Sequence, residues 1–119
     1  MRVFFLRGYG LNSDKSKTLK VGICGYGTVG SGTLALLQGN AKEITRKTGV
    51  EIEIYRVASR SLQVDIAGVT HSGTDPFEVA NDPEVDVVVE AIGGFDPAYD
   101  VVHKALENGK HVVTANKAL

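Results

Sequence analysis

The sequence predicts an α/β fold, in which helices flank a doubly wound parallel sheet of five strands. Three observations support this prediction. Short apolar segments of strand length recur along the chain, helical spacing of apolar residues fills the intervals between them, and glycines follow two of the predicted strands. Strands that alternate with helices require right-handed crossover connections, which favour the strand order 3-2-1-4-5.

The first predicted strand and helix form the most regular part of the chain. Residues 19–24, LKVGIC, are a short apolar segment that leads directly into GYGTVGSG. The next segment is predicted to be a helix, because mainly apolar residues recur at the spacing of one helix face. These residues are Val29, Thr33, Leu36, Leu37, Ala41 and Ile44. We expect this helix to weaken or break at Gly39-Asn40 and to end at Gly49, because these residue types are typical of helix ends.

The middle of the chain gives weaker signals. Residues 50–59, VEIEIYRVAS, alternate and are rich in β-branched side chains, which predicts the second strand. A third, short strand is predicted at residues 68–72. Asp75 and Pro76 are residue types typical of an N-cap and a first helical position, so we expect a short helix that reaches about Ala80.

The last third of the chain contains the clearest buried strand. Residues 86–92, DVVVEAI, are apolar on both faces, as a central parallel strand requires. Asp96 and Pro97 are then expected to open a helix, with Asp96 as the N-cap, and Gly109 is expected to end it. Residues 111–115, HVVTA, are predicted to form the fifth strand.

Composition indicates a single globular domain. The 119 residues are 43% hydrophobic and 23% charged, and we assign residues 19–119 to the domain. Residues 1–18 are interpreted as an extension or an added edge strand, without a predicted role. A formal net charge of −1 gives no broad electrostatic footprint for nucleic acid or an anionic membrane. No apolar segment approaches the roughly 20 residues of a membrane span. One cysteine among 119 residues fits a reducing compartment, so we expect a cytoplasmic location.

Two polar or reactive residues fall inside predicted strands. Cys24 is expected to be a small buried apolar residue of the first strand. Glu90 lies within the fourth, where an unpaired charge would be costly, so it needs a partner that the sequence does not name. The three histidines lack metal-ligand spacing, and no metal site is predicted.

The glycine-rich segment after the first strand predicts a dinucleotide-binding, Rossmann-type fold. In this motif Gly25 permits the tight turn, Gly27 lets the backbone approach a pyrophosphate, and Gly30 lets the helix pack close to the strand. Thr28 and Val29 begin the helix whose amino end supplies N–H donors to the phosphates. A glycine turn without a ligand is the structural alternative, and the strand-turn-helix context favours the functional reading.

The end of the second strand favours NADP over NAD. The strand ends in Ser59, Arg60 and Ser61, without the carboxylate that NAD-binding proteins of this kind use to hold the ribose 2′-hydroxyl. The guanidinium of Arg60 offers a planar set of donors for a 2′-phosphate, with two hydroxyls beside it. An exposed arginine without a ligand is the alternative, and NAD is the alternative cofactor.

Two further groups of residues are predicted at the carboxyl edge of the sheet. Gly93 and Gly94 follow the fourth strand, where a backbone without side chains leaves room for ribose or nicotinamide. Thr114 and Asn116 add polar groups at the end of the fifth strand, and Lys117 follows them. A lysine at this edge is suited to bind a substrate carboxylate or polarise a carbonyl. A plain helix-entry turn and an ordinary exposed lysine are the respective alternatives.

Three segments together resemble the N-terminal nucleotide-binding region of homoserine dehydrogenases. They are VGICGYGTVGSG, VVVEAIGG followed by DPA, and GKHVVTANKAL, and the resemblance runs from about Lys20 to Leu119. Sugar and inositol dehydrogenases have a similar layout, but their corresponding strand typically ends in Glu-Lys-Pro rather than Ala115-Asn116-Lys117. The resemblance implies reversible, NAD(P)-dependent interconversion of aspartate semialdehyde and homoserine on the pathway to threonine, methionine and isoleucine. It also implies that Lys117 assists substrate binding or proton transfer.

The same resemblance implies a chain cut before the substrate and dimerisation region of a homodimeric enzyme. We therefore expect the chain to bind cofactor without turnover. A sheet that ends at the fifth strand would expose an edge, so we also expect self-association of the chain. A non-catalytic module that senses NAD(P) is the alternative function of a different class.

Overall fold

The computed structural model describes residues 2–4, 18–60, 62, 65–94 and 96–114. Six strands lie within these ranges: β1 Arg2–Phe4, β2 Thr18–Cys24, β3 Glu51–Ala58, β4 His71–Gly73, β5 Val87–Glu90 and β6 His111–Thr114. Four helices connect them: α1 Thr28–Gly39, α2 Ala41–Thr48, α3 Pro76–Asn81 and α4 Ala98–Glu107. None of the helices in the described ranges is long and apolar enough to cross a membrane.

The strands form one sheet in the order β1-β6-β5-β2-β3-β4. The five strands from β2 to β6 pair with one another in parallel, and their order corresponds to the predicted order 3-2-1-4-5. The five-stranded parallel sheet predicted from the sequence is therefore confirmed, and so is the Rossmann-type fold.

The edge of the sheet beside β6 differs from the prediction. Strand β1 pairs antiparallel with β6, with Arg2 opposite Thr114 and Phe4 opposite Val112. The expectation that the fifth strand would leave this edge exposed is wrong, because residues 2–4 occupy it. Of the two interpretations of residues 1–18, an extension or an added edge strand, the edge strand is confirmed for residues 2–4, which extend the sheet to six strands.

Helices pack on both faces of the sheet, and the sheet separates the core into two clusters. On one face, α3 and α4 contribute Val79 and Val101, which pack against Val88 and Val112 of the sheet. On the other face, Leu34 of α1 packs against apolar side chains of β2 and β3. The strict alternation of the strands produces this division, since residues 87 and 89 face the α1 side while residue 88 faces the α4 side.

Helix boundaries follow the sequence punctuation with one shift. The first helical region breaks at Asn40, and Gly49 ends it in the left-handed region at φ 74°. The Asp75 carboxylate accepts a hydrogen bond from Phe77 N at 2.9 Å, so it is the predicted N-cap of α3. Helix α4 begins at Ala98, and Asp96 is not its N-cap, because Pro97 occupies that position and no side chain caps the helix.

The third parallel strand lies slightly later than predicted. Residues 67 and 68 are in a turn, Gly68 has a φ of +80°, and Val69 N donates to Ile66 O at 3.2 Å. Strand β4 therefore starts at His71, after this turn, rather than at residue 68.

The amino ends of the strands are closed by charged side chains. Lys110, 4% exposed, donates from Nζ to the carbonyl oxygens of Asp82 and Val85, the latter at 2.8 Å. Arg56 Nε donates to Asp82 Oδ2 at 2.9 Å, and Lys20 N donates to Asp86 Oδ2 at 2.8 Å. These bonds join the turn after α3 to three strands at the edge opposite the glycine-rich turn.

Candidate dinucleotide-binding site

The glycine turn, residues 25–30, begins immediately after β2. Gly25 has a φ of +99°, and its N–H donates to Ala58 O at 2.7 Å. A Cβ on Gly25 would lie 2.6 Å from Ala91 O, and a Cβ on Gly30 would lie 1.9 Å from Gly25 O. Side chains at these two positions would collide with backbone, so the turn and the close packing of α1 both require glycine.

The second glycine of the turn, Gly27, faces open space. A Cβ on Gly27 would meet no atom within 4 Å. Gly27 is also the N-cap of α1, and no side chain caps that helix with a hydrogen bond. Thr28 and Val29, the first two helical residues, are exposed. The first N–H groups of a helix have no partner within it, so the accessible end of α1 presents donors beside a backbone that an anion can approach closely.

A pocket of ≈ 260 Å³ lies at the carboxyl edge of the sheet, beside this turn. It is lined by residues 25–27, by residues 58–60, by residues 91 and 92, and by Pro76 and Pro97. The structure thus brings together four residues predicted as cofactor contacts, which are Gly25, Gly27, Ser59 and Arg60. The pocket lies between the ends of β2, β3 and β5, where the strand order reverses and where ligands of such folds bind.

Arg60 lies in a turn at the end of β3. Ser59 N donates to Gly73 O at 3.0 Å, and Leu62 N donates to Ser59 O at 3.0 Å. These bonds fix the backbone around Arg60, whose side chain is exposed. Among the described residues that line the pocket, Arg60 is the only charged one. Ser61, also predicted as a contact, lies outside the described residues.

Glu90 ends β5 and is 1% exposed. Its Oε2 accepts hydrogen bonds from Ile92 N at 2.7 Å and from Gly93 N at 3.2 Å. Its Oε1 accepts from Thr114 Oγ1 at 2.5 Å. These donors are the partners that the sequence did not name. Two of them are backbone N–H groups of the following loop, and the third, Thr114, lies 24 residues away. The sequence indicated this arrangement only by a charged residue inside an apolar strand that two glycines follow.

The remaining predicted residues lie around the end of β5 and β6. Gly93 and Gly94 have φ values of +82° and +72°, and a Cβ on either would meet nothing within 4 Å. Thr114 is fully buried, and its hydroxyl donates to Glu90 instead of lining the pocket. Asn116 and Lys117 lie outside the described residues.

Cys24 and the histidines contribute no reactive group to the pocket lining. Burial raises the pKa of the Cys24 thiol well above its ordinary value, and the nearby Glu90 carboxylate raises it further. Cys24 Sγ lies 3.7 Å from Pro76 O, to which it donates. The expectation of a small buried residue at this position is confirmed. Within the described ranges, His, Cys, Asp and Glu form no group of three that could hold a metal ion.

Comparison with known proteins gives the family. The sequence pattern described as "Homoserine dehydrogenase, NAD binding domain" matches residues 25–119, which include the glycine turn and all of the pocket lining. The chain belongs to this family. The resemblance found from the sequence motifs is thereby confirmed.

Individual relatives are similar over most of the chain. A homoserine dehydrogenase of Pseudomonas aeruginosa is 55% identical over 104 residues, which are 87% of this chain and 24% of that protein. The crystal structure of a homoserine dehydrogenase from Thiobacillus denitrificans has 52% identity and a TM-score of 0.74, covering 84% of this chain and 24% of that one. A homoserine dehydrogenase of S. aureus has 34% identity and a TM-score of 0.78, covering 87% and 26%. The chain therefore spans about a quarter of the length of the relatives that it matches.

Proposed function

We propose that the chain is the cofactor-binding part of a homoserine dehydrogenase and that it binds NADP in preference to NAD. The observation that carries the proposal is the pocket in which the glycine turn, the end of β3 with Arg60, and the loop after β5 meet. Family membership supports a nicotinamide cofactor, because the matched region is described as NAD-binding. The preference between the two dinucleotides is argued from Arg60.

The pyrophosphate is proposed to bind at the amino end of α1. Gly27 leaves open space there, and the N–H groups of Thr28, Val29 and Gly30 belong to the first turn of the helix. The first turn contains no acidic side chain that would repel an anion. The helix dipole and the unpaired amides both favour a diphosphate at this position.

The adenosine ribose is proposed to lie beside Arg60. Its guanidinium can donate two parallel hydrogen bonds to a 2′-phosphate, and Ser59 and Ser61 flank it with hydroxyl groups. The described lining of the pocket contains no carboxylate that would repel this phosphate. These features support NADP, whereas NAD would leave the charge of Arg60 without a phosphate partner.

The nicotinamide is proposed to lie at the ends of β5 and β6, where Gly93, Gly94 and Asn116 are the candidate neighbours. Bound there, it supplies or accepts the hydride in the interconversion of aspartate semialdehyde and homoserine. Thr114, predicted as a further contact, is fully buried against Glu90 and supports this region without facing the pocket. Lys117 is proposed to bind the substrate or assist proton transfer. The activity belongs to the longer, cytoplasmic and homodimeric enzyme of threonine, methionine and isoleucine synthesis, and we expect the 119-residue chain to bind cofactor without turnover.

Calorimetric titration of the 119-residue chain with NADPH and with NADH tests the proposal. We expect both to bind and NADPH to bind more tightly. Binding of neither dinucleotide to folded protein would reject the proposed function, while equal affinities would reject only the NADP preference. Circular dichroism before each titration establishes that the protein is folded.

A further inference from the structure

Glu90 occupies a junction between three strands and the pocket. In the parallel register it lies opposite Cys24 of β2 on one side and opposite Thr114 of β6 on the other. The side chains of these three residues are buried within the carboxyl edge of the sheet. A carboxylate at this depth is costly unless hydrogen bonds satisfy it, and each of its oxygens accepts at least one.

The three donors to Glu90 belong to two different segments. Two are backbone N–H groups of residues 92 and 93, in the loop that leaves β5, here called the β5 loop, residues 91–94. The third is the hydroxyl of Thr114 at the end of β6. One carboxylate therefore fixes both the path of the β5 loop and the position of the last residue of β6.

The β5 loop also contacts the glycine turn. Ala91 N donates to Cys24 O at 2.7 Å, and Ala91 O lies where a side chain on Gly25 would collide with it. Ala91 and Ile92 line the pocket directly. Beyond them Gly93 and Gly94 turn with positive φ and face open space. The part of the loop that Glu90 holds is thus the part that borders the pocket.

We infer that Glu90 is a positioning residue, which holds the β5 loop and the end of β6 in the arrangement that receives the nicotinamide half of the cofactor. The inference rests on the proposed function. Glu90 itself is buried beneath the loop and acts through the backbone of Ile92 and Gly93. The adenosine half is proposed to lie beside Arg60 and Ser59, which follow β3, whereas the groups that donate to Glu90 follow β5 or end β6.

The separation between the two halves of the cofactor defines the experiment. The 119-residue chain and its variants are titrated with NADPH and with adenosine 2′,5′-bisphosphate, which carries the 2′-phosphate but no nicotinamide. In Glu90→Ala, the amides of the loop lose their acceptor, so NADPH should bind about tenfold more weakly while the bisphosphate changes by less than about twofold. Thr114→Val removes one of the three bonds and should give a smaller loss in the same direction.

Conservative variants distinguish positioning from general support of the fold. In Glu90→Gln, the amide oxygen can accept from Ile92 and Gly93 while its NH₂ group donates to Thr114, so most of the NADPH affinity should return. Thr114→Ser keeps the hydroxyl and should bind as the unchanged chain does. If Glu90→Ala does not fold, the losses of NADPH and bisphosphate affinity are compared in Thr114→Val instead, with Thr114→Ser as its control.

Three outcomes overturn the inference. Equal losses for NADPH and the bisphosphate would mean that Glu90 only supports the fold. Unchanged NADPH binding in folded Glu90→Ala would mean that the β5 loop does not need the hydrogen bonds to Glu90. If that variant does not fold, unchanged binding in Thr114→Val would mean the same. A Glu90→Gln variant as weak as Glu90→Ala would mean that the three bonds are not what matters. Failure of the unchanged chain to bind NADPH would instead count against the proposed function.

Discussion

The two ends of the sheet are closed by buried groups of opposite charge. At the carboxyl edge, Glu90 accepts hydrogen bonds from loop amides, and at the amino edge Lys110 donates to the carbonyls of Asp82 and Val85. The difference matches the backbone groups that each edge presents. The loop after β5 presents the N–H groups of Ile92 and Gly93 to the carboxylate, whereas the turn after α3 presents the carbonyls of Asp82 and Val85 to the ammonium group.

The two edges also differ in what they leave accessible. Residues around Glu90 border the pocket, and glycines there face open space. The amino edge is held by side-chain bonds of Lys110, Arg56 and Asp86. Changes at the carboxyl edge should therefore alter ligand binding, while changes at the amino edge should alter stability alone.

The largest expected effect is that of Gly30→Ala. Its Cβ would lie 1.9 Å from Gly25 O, a backbone atom that cannot move without opening the glycine turn. We expect NADPH affinity to fall by about 100-fold and the free energy of unfolding by about 3 kcal/mol. Titration and urea denaturation measure the two. Gly32→Ala, where a Cβ meets nothing within 4 Å, is the matched control and should stabilise α1 by up to about 1 kcal/mol.

Lys110→Met tests the amino edge. The methionine fills similar space but leaves the carbonyls of Asp82 and Val85 without their donor, so the free energy of unfolding should fall by about 2 to 4 kcal/mol. NADPH affinity of the folded fraction should stay within about twofold. Urea denaturation with calorimetry checks both, and Lys42→Met at an exposed position is the control. A large loss of affinity without loss of stability would contradict the proposed division between the edges.

Arg60→Ala tests how the carboxyl edge distinguishes NADPH from NADH. Loss of a charged hydrogen bond to the 2′-phosphate should weaken NADPH binding by about 1.5 to 3 kcal/mol and leave NADH almost unchanged. Because Arg60 is exposed, the stability of the protein should not change measurably. The control is Arg46→Ala, an exposed arginine of α2 that pairs with Glu43. Equal losses for the two dinucleotides would contradict the NADP assignment.

The smallest expected effect concerns pH. Burial raises the pKa of the Asp82 carboxyl, but the Glu84 amide and the Arg56 guanidinium outweigh it and hold the pKa below the ordinary value of 3.8. A lowered folded pKa means that this stabilisation is complete above the unfolded pKa and disappears as pH falls through the folded pKa. Asp82→Asn should therefore cost about 1 kcal/mol at neutral pH, and the difference from the unchanged chain should narrow below pH 3.8. Urea denaturation across this pH range measures the effect. If the difference in unfolding free energy between Asp82→Asn and the unchanged chain does not depend on pH, the Asp82 carboxylate is not its cause.

The features predictable from the sequence are those that neighbouring residues specify. The apolar segment of β5 and the Asp75-Pro76 start of α3 depend on local periodicity and capping, and both were predicted correctly. The order of the five parallel strands followed because right-handed crossovers leave few topologies. The glycine turn belonged to the same class, because its geometry depends on consecutive residues.

Features that depend on distant pairs were not predictable. The partner of Glu90 at Thr114 requires the register of β5 against β6, and no periodicity in the sequence encodes that register. The pairing of residues 2–4 with β6 joins opposite ends of the chain. The predicted start of β4, at residue 68, is wrong because the turn at Gly68 contains residue types that also occur in strands.

The antiparallel strand β1 has a consequence for how this molecule meets copies of itself. Three residues of β6 that would otherwise offer an open ladder to a second molecule already have a partner within the chain. Removing the first four residues would return that ladder to solvent, and strand exchange between molecules would then compete with the monomer. While β1 stays paired, contacts between molecules are expected to use a surface other than the backbone of residues 112–114.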